Sequence, residues 1–423
     1  MAQRRWRVSR AQCSMSSACR TVDLRASECA DHDALQTRDP TELELWTGRS
    51  LRRSRISSAP LRAFDSPKML EAFVALALRR IRDTRGWCMA AVAALGASLL
   101  LGAVANCEEV EPELANVRLA VGGKPALFYL PLTITERLGY FRDARLTVEI
   151  ADFPGGARAL QALIGGSADV VTGAYDHTIQ MQAKGQPIIA VVLLGLLPGY
   201  VLGVLPGKGQ GYHTPADLKG MKIGVTAPGS STHFMVQHLM VKNGLARDDA
   251  SFIGVGASAS AVAAVKRGEI DAIVNVDPVI SLLESEKAIK VVVDTRAPEG
   301  TQAVYGGPYP AAVLYAQQTF VEKNARTIQA LVNALVRSLQ WIAGHSPQEV
   351  AGVMPQDYAL GNPAIYVQSI GKSLPMYSRD GRFAPEAAET AYAVLKAFDP
   401  VVGSATIDLS ATYTNAFVEN AKP

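Results

Sequence analysis

The segment APGSSTHFMVQHLM at residues 227–240 places two serines, a threonine and a histidine at the start of a predicted helix. Such residues serve either a serine nucleophile with a histidine base, or an anion held by hydroxyls and backbone N–H groups. The sequence has no G-x-S-x-G elbow, and His233 follows the serines within one helical turn, where it does not readily face them. The anion site is therefore favoured over the nucleophile. As a helix start, the segment also predicts that Ser230, Ser231 or Thr232 is the N-cap.

Histidine and cysteine spacing gives no metal site. His233 and His238 are five residues apart, which does not place them on one helical face, and no H-E-x-x-H motif is present. All five cysteines lie at or before Cys107, so the body after it has no cysteine zinc site, thiol nucleophile or disulfide framework. His177, in the segment AYDHT, is either a solvated loop histidine or a ligand contact. We predict no metal and no cofactor.

Composition separates a basic leader from a mildly acidic body. The chain has 423 residues, of which 48% are apolar, enough for one large or two medium domains. Residues 1–88 contain 17 Lys and Arg against 10 Asp and Glu, which leaves 25 against 29 for the rest of the chain. Because nucleic-acid binding needs a basic face, nucleic acid is excluded as the expected partner of the body.

Residues 89–105, MAAVAALGASLLLGAVA, form an uncharged run of 17 small and apolar residues. The run follows the basic segment RRIRDTRGW and ends in Ala-Val-Ala, which predicts the hydrophobic core and cleavage site of a secretory signal peptide. Translation is then expected to start at Met69. Residues 1–68 would be an artefact of start-site choice or a disordered extension, and residues 1–88 an extension that includes the basic n-region. A retained membrane anchor is the alternative, although the run is shorter than the roughly 20 residues of a span. Lipidation of Cys107 is disfavoured because asparagine precedes it.

Short apolar runs alternate with helical patterns along the body, which predicts parallel sheets covered by helices. The first unit has strands at VRLAV, LTVEI, ADVVTG and PIIAVVLLG. The second unit begins at TPADLKG, where Thr214 is the expected N-cap and Pro215 the first helical residue. Its strands are MKIGVT, SFIGVG, EIDAIVN and KVVVD. After PYPAAVLYA the chain is predicted to be helical to its end.

The two units repeat a short motif. GSAD at residues 166–169 and GEID at residues 268–271 each follow an alanine-rich helix. Each is followed within seven residues by a further aspartate, Asp176 in the first unit and Asp277 in the second. This self-similarity supports two related α/β lobes.

Ligand sites of open α/β sheets lie beyond the carboxyl ends of the strands, where helix N-termini point. The loops at those ends are GGKPALFY, DFPGGAR, TGAYDHT, TAPGSSTH, GASAS and NVDP. Several are rich in Gly, Ser and Thr, a composition that lets backbone N–H groups approach an anion. We expect these loops to form the binding site.

The body resembles the periplasmic substrate-binding proteins of the nitrate/sulfonate/taurine class of ABC importers, in the thiamine-pyrimidine-synthase-like superfamily. The carrying segments are LPLTITERLGYFRDARLTVEI, GGARALQALIGGSADVVTGAYDHTIQMQAKGQPI, LKGMKIGVTAPGSSTHFMVQHLM and VKRGEIDAIVNVDPVISLLE. The resemblance implies an α/β, two-lobe type II periplasmic binding protein fold, each lobe a mainly parallel sheet flanked by helices, with a helical C-terminal tail. It implies a first lobe at residues 106–206 and 310–423, a second lobe at residues 207–309, and crossings near residues 205–207 and 308–313.

The same resemblance implies capture of a solute rather than catalysis. The implied partners are a small-molecule solute and the ABC permease and ATPase subunits of the inner membrane, and the protein is expected to be a periplasmic monomer. Hydroxyls and amides of the second lobe would hold the anionic end of the solute, and aromatic rings of the first lobe would face its organic part. The implied binding residues are Phe128, Tyr129, Gly155, Gly156, Tyr175, Asp176, His177, Ser230, Ser231, Thr232, His233 and Asp277.

Several classes of solute fit the sequence. Only Lys124 and Arg158 supply cations in the candidate loops, which fits a sulfonate, taurine, nitrate or polar heteroaromatic ring. Asp176 and Asp277 either meet an amino group, such as that of taurine or an aminopyrimidine, or cap helices. The alternatives are a thiamine-precursor pyrimidine, an aromatic carboxylate, or a membrane-tethered sensory domain. An enzyme of the pyrimidine-synthase branch is disfavoured because that branch uses a cysteine-rich motif.

Overall fold

The computed structural model describes residues 111–209 and 211–423. The predicted signal peptide at residues 89–105 and the extension before it lie outside the described residues. Apolar runs of four to six residues form ten strands within the described part. They are β1 (Asn116–Val121), β2 (Thr147–Asp152), β3 (Val170–Ala174), β4 (Ile188–Leu193), β5 (Val201–Val204), β6 (Lys222–Val225), β7 (Ser251–Gly254), β8 (Ala272–Asn275), β9 (Lys290–Asp294) and β10 (Ala312–Gln317).

Helices connect the strands and make up most of the C-terminal part. The α-helices before β10 are α1 (Leu130–Arg137), α2 (Tyr140–Asp143), α3 (Gly156–Ile164), α4 (Asp176–Ala183), α5 (Pro206–Gly209), α6 (Ser231–Lys242), α7 (Ala259–Lys266), α8 (Val279–Ser285) and α9 (Pro298–Tyr305). Those after it are α10 (Gln318–Lys323), α11 (Ala325–Ala343), α12 (Pro347–Val353), α13 (Pro363–Ser373), α14 (Pro385–Phe398), α15 (Pro400–Ser404) and α16 (Ala416–Glu419). Short 3-10 helices lie at Leu127–Tyr129, Pro215–Leu218, Gln356–Ala359, Leu374–Met376 and Leu409–Ala411.

The strands form two five-stranded sheets with the same topology. The first sheet has the order β2-β1-β3-β10-β4, and the second has the order β7-β6-β8-β5-β9. In each sheet four strands run in the same direction, and the fourth strand in the order is antiparallel to both of its neighbours. We call the first sheet and its covering helices lobe 1, and the second sheet and its helices lobe 2. The predicted two-lobe α/β fold with a helical C-terminal region is confirmed, although each sheet is mixed rather than wholly parallel.

The chain crosses between the sheets earlier than the predicted crossing near residues 205–207. β5 pairs with β8 and β9, so it belongs to the second sheet although the expected first lobe extended to residue 206. The first crossing therefore lies between Leu193 and Val201 rather than near residues 205–207. The sequence could not show this, because VLGV follows a longer apolar run and has no local signal of its own. Only its pairing with strands far along the chain assigns it to the second sheet.

The repeated aspartate motif has one structural role in both lobes. Asp169, just before β3, accepts a hydrogen bond from the Arg118 backbone N–H of β1 at 2.9 Å. Asp271, just before β8, accepts one from the Lys222 backbone N–H of β6 at 2.9 Å. In both cases the aspartate N–H donates back to the carbonyl of the same partner. The repeat therefore fixes the register of neighbouring parallel strands at the end opposite the candidate site.

The helix α11 anchors the C-terminal part on lobe 1. Its apolar residues recur every three or four positions, and Ile328, Leu331 and Leu335 are fully buried. It packs against α1 and α2. The guanidinium carbon of Arg337 lies 4.0 Å above the ring of Tyr140 in a cation–π contact. The prediction that the chain is helical after PYPAAVLYA holds for this segment.

Glu113 caps the N-terminus of α11 from a distant part of the chain. Its carboxylate accepts hydrogen bonds from the backbone N–H groups of Arg326 at 3.0 Å and Thr327 at 2.8 Å, which have no intrahelical partner. Burial alone would raise the pKa of Glu113, but the hydrogen bonds from these N–H groups outweigh it and lower the pKa to about 2. The ionised carboxylate thus ties the start of the described body to its longest helix.

We expect Glu113→Gln to lower the free energy of unfolding by about 1–2 kcal/mol at pH 7, the usual range for a lost cap. Because the folded-state pKa lies below the ordinary value of 4.5, the carboxylate's contribution is complete above pH 4.5 and is lost as the pH falls toward about 2. Urea unfolding across this range should show the two proteins converging in acid. Glu111→Gln, which removes a surface pair with Arg145, is the matched control and should change stability less.

No helix within residues 111–209 and 211–423 is both long and apolar enough to cross a membrane.

Candidate functional site

A cavity of about 30 Å³ lies between the carboxyl ends of the two sheets. On this measure roughly 10–15 Å³ holds one water molecule, so the space suits a group of a few heavy atoms. Both lobes contribute to its wall, as expected for a site beyond the strand ends. The lining residues are Gly122, Ala126, Phe128, Tyr129, Gly156, Ala174, His177, Tyr200, Thr226, Ser230, Ser231, Thr232, Ala257 and Val276.

Gly156, the first residue of α3, forms part of the cavity wall. A Cβ atom at this position would lie 3.3 Å from Cε1 of His177, 3.7 Å from the hydroxyl oxygen of Tyr129 and 3.8 Å from Oγ of Ser230. The absence of a side chain therefore leaves open the point where these three side chains converge. Gly122 allows the approach behind it, since its Cβ would lie 2.2 Å from the backbone nitrogen of Gly156.

The three hydroxyls at the start of α6 do not cap their own helix. Ser230 is the N-cap residue by backbone conformation, but its Oγ accepts a hydrogen bond from the Ala157 N–H of α3, in the other lobe, at 2.9 Å. Ser231 Oγ donates to Oδ1 of Asp176, also in lobe 1, at 2.6 Å. Thr232 Oγ1 accepts from the Thr226 N–H at 3.1 Å within lobe 2. The two serines therefore connect the lobes, and the expected N-cap hydrogen bond is not made.

His177 is completely buried and joins the lobes through its ring. Nε2 lies 3.2 Å from the carbonyl oxygen of Gly229, which only accepts, so this nitrogen carries the hydrogen. Nδ1 is then the acceptor for the Tyr315 hydroxyl at 3.4 Å. Burial lowers the pKa of His177, although neighbouring Asp176 opposes this shift. The ring is therefore neutral near pH 7 and presents a C–H edge to the cavity.

Asp176, the first residue of α4, lies behind Ser231 rather than on the cavity wall. Its side chain is 1% exposed. Oδ2 accepts a hydrogen bond from the Tyr309 hydroxyl at 3.2 Å, while Oδ1 accepts from Ser231. Burial raises the pKa of the carboxyl, and His177 and these two hydroxyl donors oppose that shift. Asp176 therefore acts on the cavity through the hydroxyl of Ser231.

Three aromatic rings form the apolar side of the cavity. Phe128 and Tyr129, in the short helix after β1, make an edge-to-face pair with centroids 4.9 Å apart. Tyr200, in the segment between β4 and β5, stacks on Phe128 at 5.6 Å. Burial raises the pKa of Tyr129 and Tyr200, so both hydroxyls stay protonated. These rings suit the organic part of a solute.

The structure brings seven of the twelve expected binding residues to the cavity wall: Phe128, Tyr129, Gly156, His177, Ser230, Ser231 and Thr232. It places the other five elsewhere. Gly155 packs against Ala227 of lobe 2, and the Tyr175 hydroxyl pairs with Thr412 Oγ1 at 2.6 Å. Asp176 lies behind Ser231, as described above. The remaining two, His233 and Asp277, have partners inside lobe 2.

His233 and Asp277 are both held within lobe 2. Nδ1 of His233 accepts a hydrogen bond from the Gly229 N–H at 3.0 Å, and the ring lies 4.2 Å from that of Phe252. Burial lowers the pKa of His233 to about 4. Asp277 is 3% exposed and accepts a hydrogen bond from the Ser281 N–H in the first turn of α8 at 2.8 Å. Its side chain therefore caps a helix, which was one of the two roles predicted for it.

Asp277 also belongs to a buried ion network around Arg296. The Arg296 guanidinium lies 3.3 Å from Asp277, 3.0 Å from Glu284 and 2.6 Å from Asp294. The arginine side chain is 9% exposed, and that of Asp277 is 2% exposed. The Asp277 backbone carbonyl accepts from the Leu127 N–H of lobe 1 at 2.8 Å, so the network supports a lobe contact at the edge of the site.

Sequence reasoning named half of the wall residue by residue. Six further wall residues were not named singly but lie in the strand-end loops expected to form the site. Tyr200, between β4 and β5, lies outside those loops, and no local pattern marked it. The wall residues not named singly are Gly122, Ala126, Ala174, Tyr200, Thr226, Ala257 and Val276.

The site is built from neutral groups. None of its lining residues within the described part of the chain is Lys or Arg. The two expected cations are occupied elsewhere: Lys124 pairs with Glu136 at 2.6 Å, and Arg158 donates to Gln161 at 2.9 Å. Among the described residues, no group of three or more His, Cys, Asp or Glu side chains is placed to hold a metal ion. What remains is hydroxyls, first-turn backbone N–H groups and aromatic rings.

This architecture, two lobes of identical sheet topology with a cavity between their strand ends, is the fold of the periplasmic solute-binding proteins. Residues 129–350, more than half of the chain, match the model of the NMT1/THI5-like family, and the chain belongs to that family.

Individual relatives agree with this assignment. A solved structure from Bordetella bronchiseptica RB50 is 49% identical, covers 74% of this chain and 98% of its own, and superposes with a TM-score of 0.72. The alkanesulfonate-binding protein SsuA of Xanthomonas axonopodis pv. citri, solved with MOPS, is 20% identical, covers 72% of this chain and 99% of its own, and has a TM-score of 0.56. YtlA of Bacillus subtilis (strain 168), provisionally named as a binding protein, is 23% identical over 71% of this chain and 86% of its own length.

Fungal enzymes are also among the relatives. The 4-amino-5-hydroxymethyl-2-methylpyrimidine phosphate synthase of Candida albicans (strain WO-1) is 24% identical over 55% of this chain and 69% of its own length. The similarity to these synthases is thus lower in coverage than the similarity to the binding proteins.

Proposed function

We propose that this protein is the solute-binding component of an ABC importer, which captures a small anionic or polar organic solute between its lobes. The proposal includes export to the periplasm by the signal peptide expected at residues 89–105, and delivery of the solute by the monomer to a permease driven by an ATPase. Sulfonates, taurine and nitrate are the first solutes to consider, because the binding proteins with this fold include sulfonate and nitrate binders.

One observation carries the proposal: the cavity closes through side chains of both lobes that meet around a small polar space. Ser230 reaches the N–H of Ala157, and His177 reaches the carbonyl of Gly229. Such contacts form only when the lobes close, and closure excludes water from the bound group. The wall offers hydroxyls and helix N-terminal N–H groups, which bind polar groups. It does not supply a nucleophile together with a general base.

A heteroaromatic or aromatic carboxylate solute is the second candidate. The observation in its favour is the cluster of Phe128, Tyr129 and Tyr200 on one side of the cavity. Planar rings gain both apolar contact and stacking from such a wall. A thiamine-precursor pyrimidine belongs to this class.

The test is thermal unfolding of the purified protein against a panel of sulfonates, nitrate, small carboxylates, carboxamides and pyrimidines. A solute that binds only the folded state raises the melting temperature in proportion to the logarithm of its concentration over its Kd. We expect a rise with one chemical class that continues to grow with each tenfold increase in concentration. A melting temperature that stays constant with every class would contradict the solute-binding role.

A further inference from the structure

The hydroxyl of Ser231 presents an acceptor, and no hydrogen, to the cavity. A serine hydroxyl has one hydrogen and two lone pairs. Its hydrogen is directed to Oδ1 of Asp176 at 2.6 Å, a distance typical of a hydroxyl bound to a carboxylate. Oδ2 of Asp176 already accepts the Tyr309 hydroxyl, so the carboxylate is held in place from both sides. The Tyr200 hydroxyl also hydrogen-bonds to Ser231, and it must be the donor because the serine hydrogen is already directed to Asp176. One lone pair of the Ser231 oxygen therefore remains to accept a hydrogen bond from a solute.

The neighbouring hydroxyl of Ser230 has the opposite polarity. Its oxygen accepts the N–H of Ala157 at 2.9 Å, and its own hydrogen has no acceptor among the described residues. This hydrogen can be donated to the solute. Two adjacent residues of one helix start therefore offer a donor and an acceptor side by side.

Most other polar groups on the wall have partners within the protein. Both ring nitrogens of His177 are hydrogen-bonded, Thr232 and Thr226 bond each other at 2.9 Å, and the Tyr200 hydroxyl bonds Ser231. The Tyr129 hydroxyl has no partner among the described residues and remains a donor, as do the first N–H groups of α6. These donors and the Ser231 acceptor are therefore the groups that contact the polar part of a bound solute.

A fully ionised carboxylate or sulfonate fits this arrangement poorly. All of its oxygens accept, so one of them would face the remaining lone pair of Ser231 with the Asp176 carboxyl behind it. No Lys or Arg among the described lining residues offsets the buried charge. A primary carboxamide or sulfonamide has the same shape, yet it places an N–H group beside its oxygen.

We propose, on the basis of the solute-binding role above, that the cavity selects solutes with a hydrogen-bond donor beside their acceptors, such as carboxamides and sulfonamides, over ionised carboxylates and sulfonates. Asp176 is the positioning residue for this selectivity, because it directs the hydrogen of Ser231 away from the solute. Ser230 and Ser231 make the contacts.

The test uses two pairs of isosteric probes, acetamide with acetate and methanesulfonamide with methanesulfonate. Calorimetric titration of the full chain at pH 8, where a carboxyl with a raised pKa is more fully ionised, gives the ratio of the two Kd values in each pair. We expect the neutral member to bind roughly tenfold or more tightly, since sites built for a donor reject analogues without it. Equal or tighter binding of the anions, or binding of neither member, overturns the inference.

The variant Asp176→Asn tests whether Asp176 orients the Ser231 hydroxyl or only stabilises the fold. The side-chain NH2 of asparagine can donate to Ser231, which frees the serine hydrogen for the solute. We expect the preference to fall at least roughly tenfold or to invert. Asp399→Asn is the matched control: Asp399 is also buried, but it accepts from Gln180 and the Val401 N–H in lobe 1, so the ratio should not change.

A second variant keeps the inference testable if Asp176→Asn does not fold. Ser231→Ala removes the acceptor and leaves Asp176 in place, so it should remove the preference for the neutral probes. An unchanged ratio in a folded variant overturns the role of Ser231. The broad thermal panel tests the selectivity and the solute-binding role separately, since a clear shift with anions alone refutes the selectivity but supports the solute-binding role.

Discussion

We expect Arg296→Met to lower the free energy of unfolding by about 3–5 kcal/mol, the usual cost of removing one partner from a buried ion pair. The guanidinium contacts three carboxylates, and its removal leaves Asp277 without a compensating charge at 2% side-chain exposure. Methionine replaces much of the apolar volume, so the loss is electrostatic rather than a cavity effect. Urea unfolding followed by circular dichroism measures the change.

Arg267→Met is the matched control for this variant. Arg267 pairs with Glu269 at 2.7 Å, but the two side chains are 61% and 51% exposed, so its removal should cost less than about 1 kcal/mol. Adding Asp277→Asn to Arg296→Met should recover part of the stability, since the uncompensated charge is then absent. Equal losses in the two arginine variants would show that the Arg296 network adds nothing beyond a surface pair.

We expect Gly156→Ala to weaken solute binding at least roughly tenfold while the free energy of unfolding changes little. The added methyl would lie at ordinary contact distance from Tyr129 and Ser230, 3.7 and 3.8 Å away, and the His177 ring, 3.3 Å away, would need to shift by a few tenths of an ångström. It occupies the space that these side chains enclose. Alanine is a better helix former than glycine, so the start of α3 does not lose stability.

Calorimetric titration with the solute that gives the largest thermal shift, together with urea unfolding, checks this expectation. Gly352→Ala is the control because Gly352 is also helical and its Cβ would meet no atom within 4 Å. Binding should persist in that variant. Undiminished affinity in Gly156→Ala would place the solute outside this cavity.

The strands were largely predictable because the apolar runs of parallel sheets are short, buried and separated by glycine-ended helices. KVVVD became β9 without change, and VRLAV became β1 with one added residue. β5 was missed because VLGV carries neither alternation nor a turn signal of its own. Its antiparallel pairing with β8 and β9 depends on residues some 70 to 90 positions later, which no local pattern contains.

The site was predictable in position and less so in chemistry. Strand-end loops located the cavity, and Ser230, Ser231 and His177 all reach it. The partner of each hydroxyl was not predictable, since Ser230 binds an N–H group 73 residues away in the chain. Asp176 and Asp277 occupy matching places in the two units, yet only Asp277 meets an arginine, Arg296. Equivalent sequence positions therefore acquired different roles through contacts outside the repeat.

The strand order of the two sheets has a consequence for the sequence of folding events. All strands of lobe 2 lie within residues 201–294, so its sheet is complete in the chain as soon as β9 has emerged from the ribosome or translocon. Lobe 1 needs β10, because β4 pairs with no other strand of its sheet. Until residue 317 emerges, β3 presents an open edge to other chains. Lobe 2 is therefore expected to fold first. A growing chain is expected to be most prone to aggregation before β10, the last strand of lobe 1, has been synthesised.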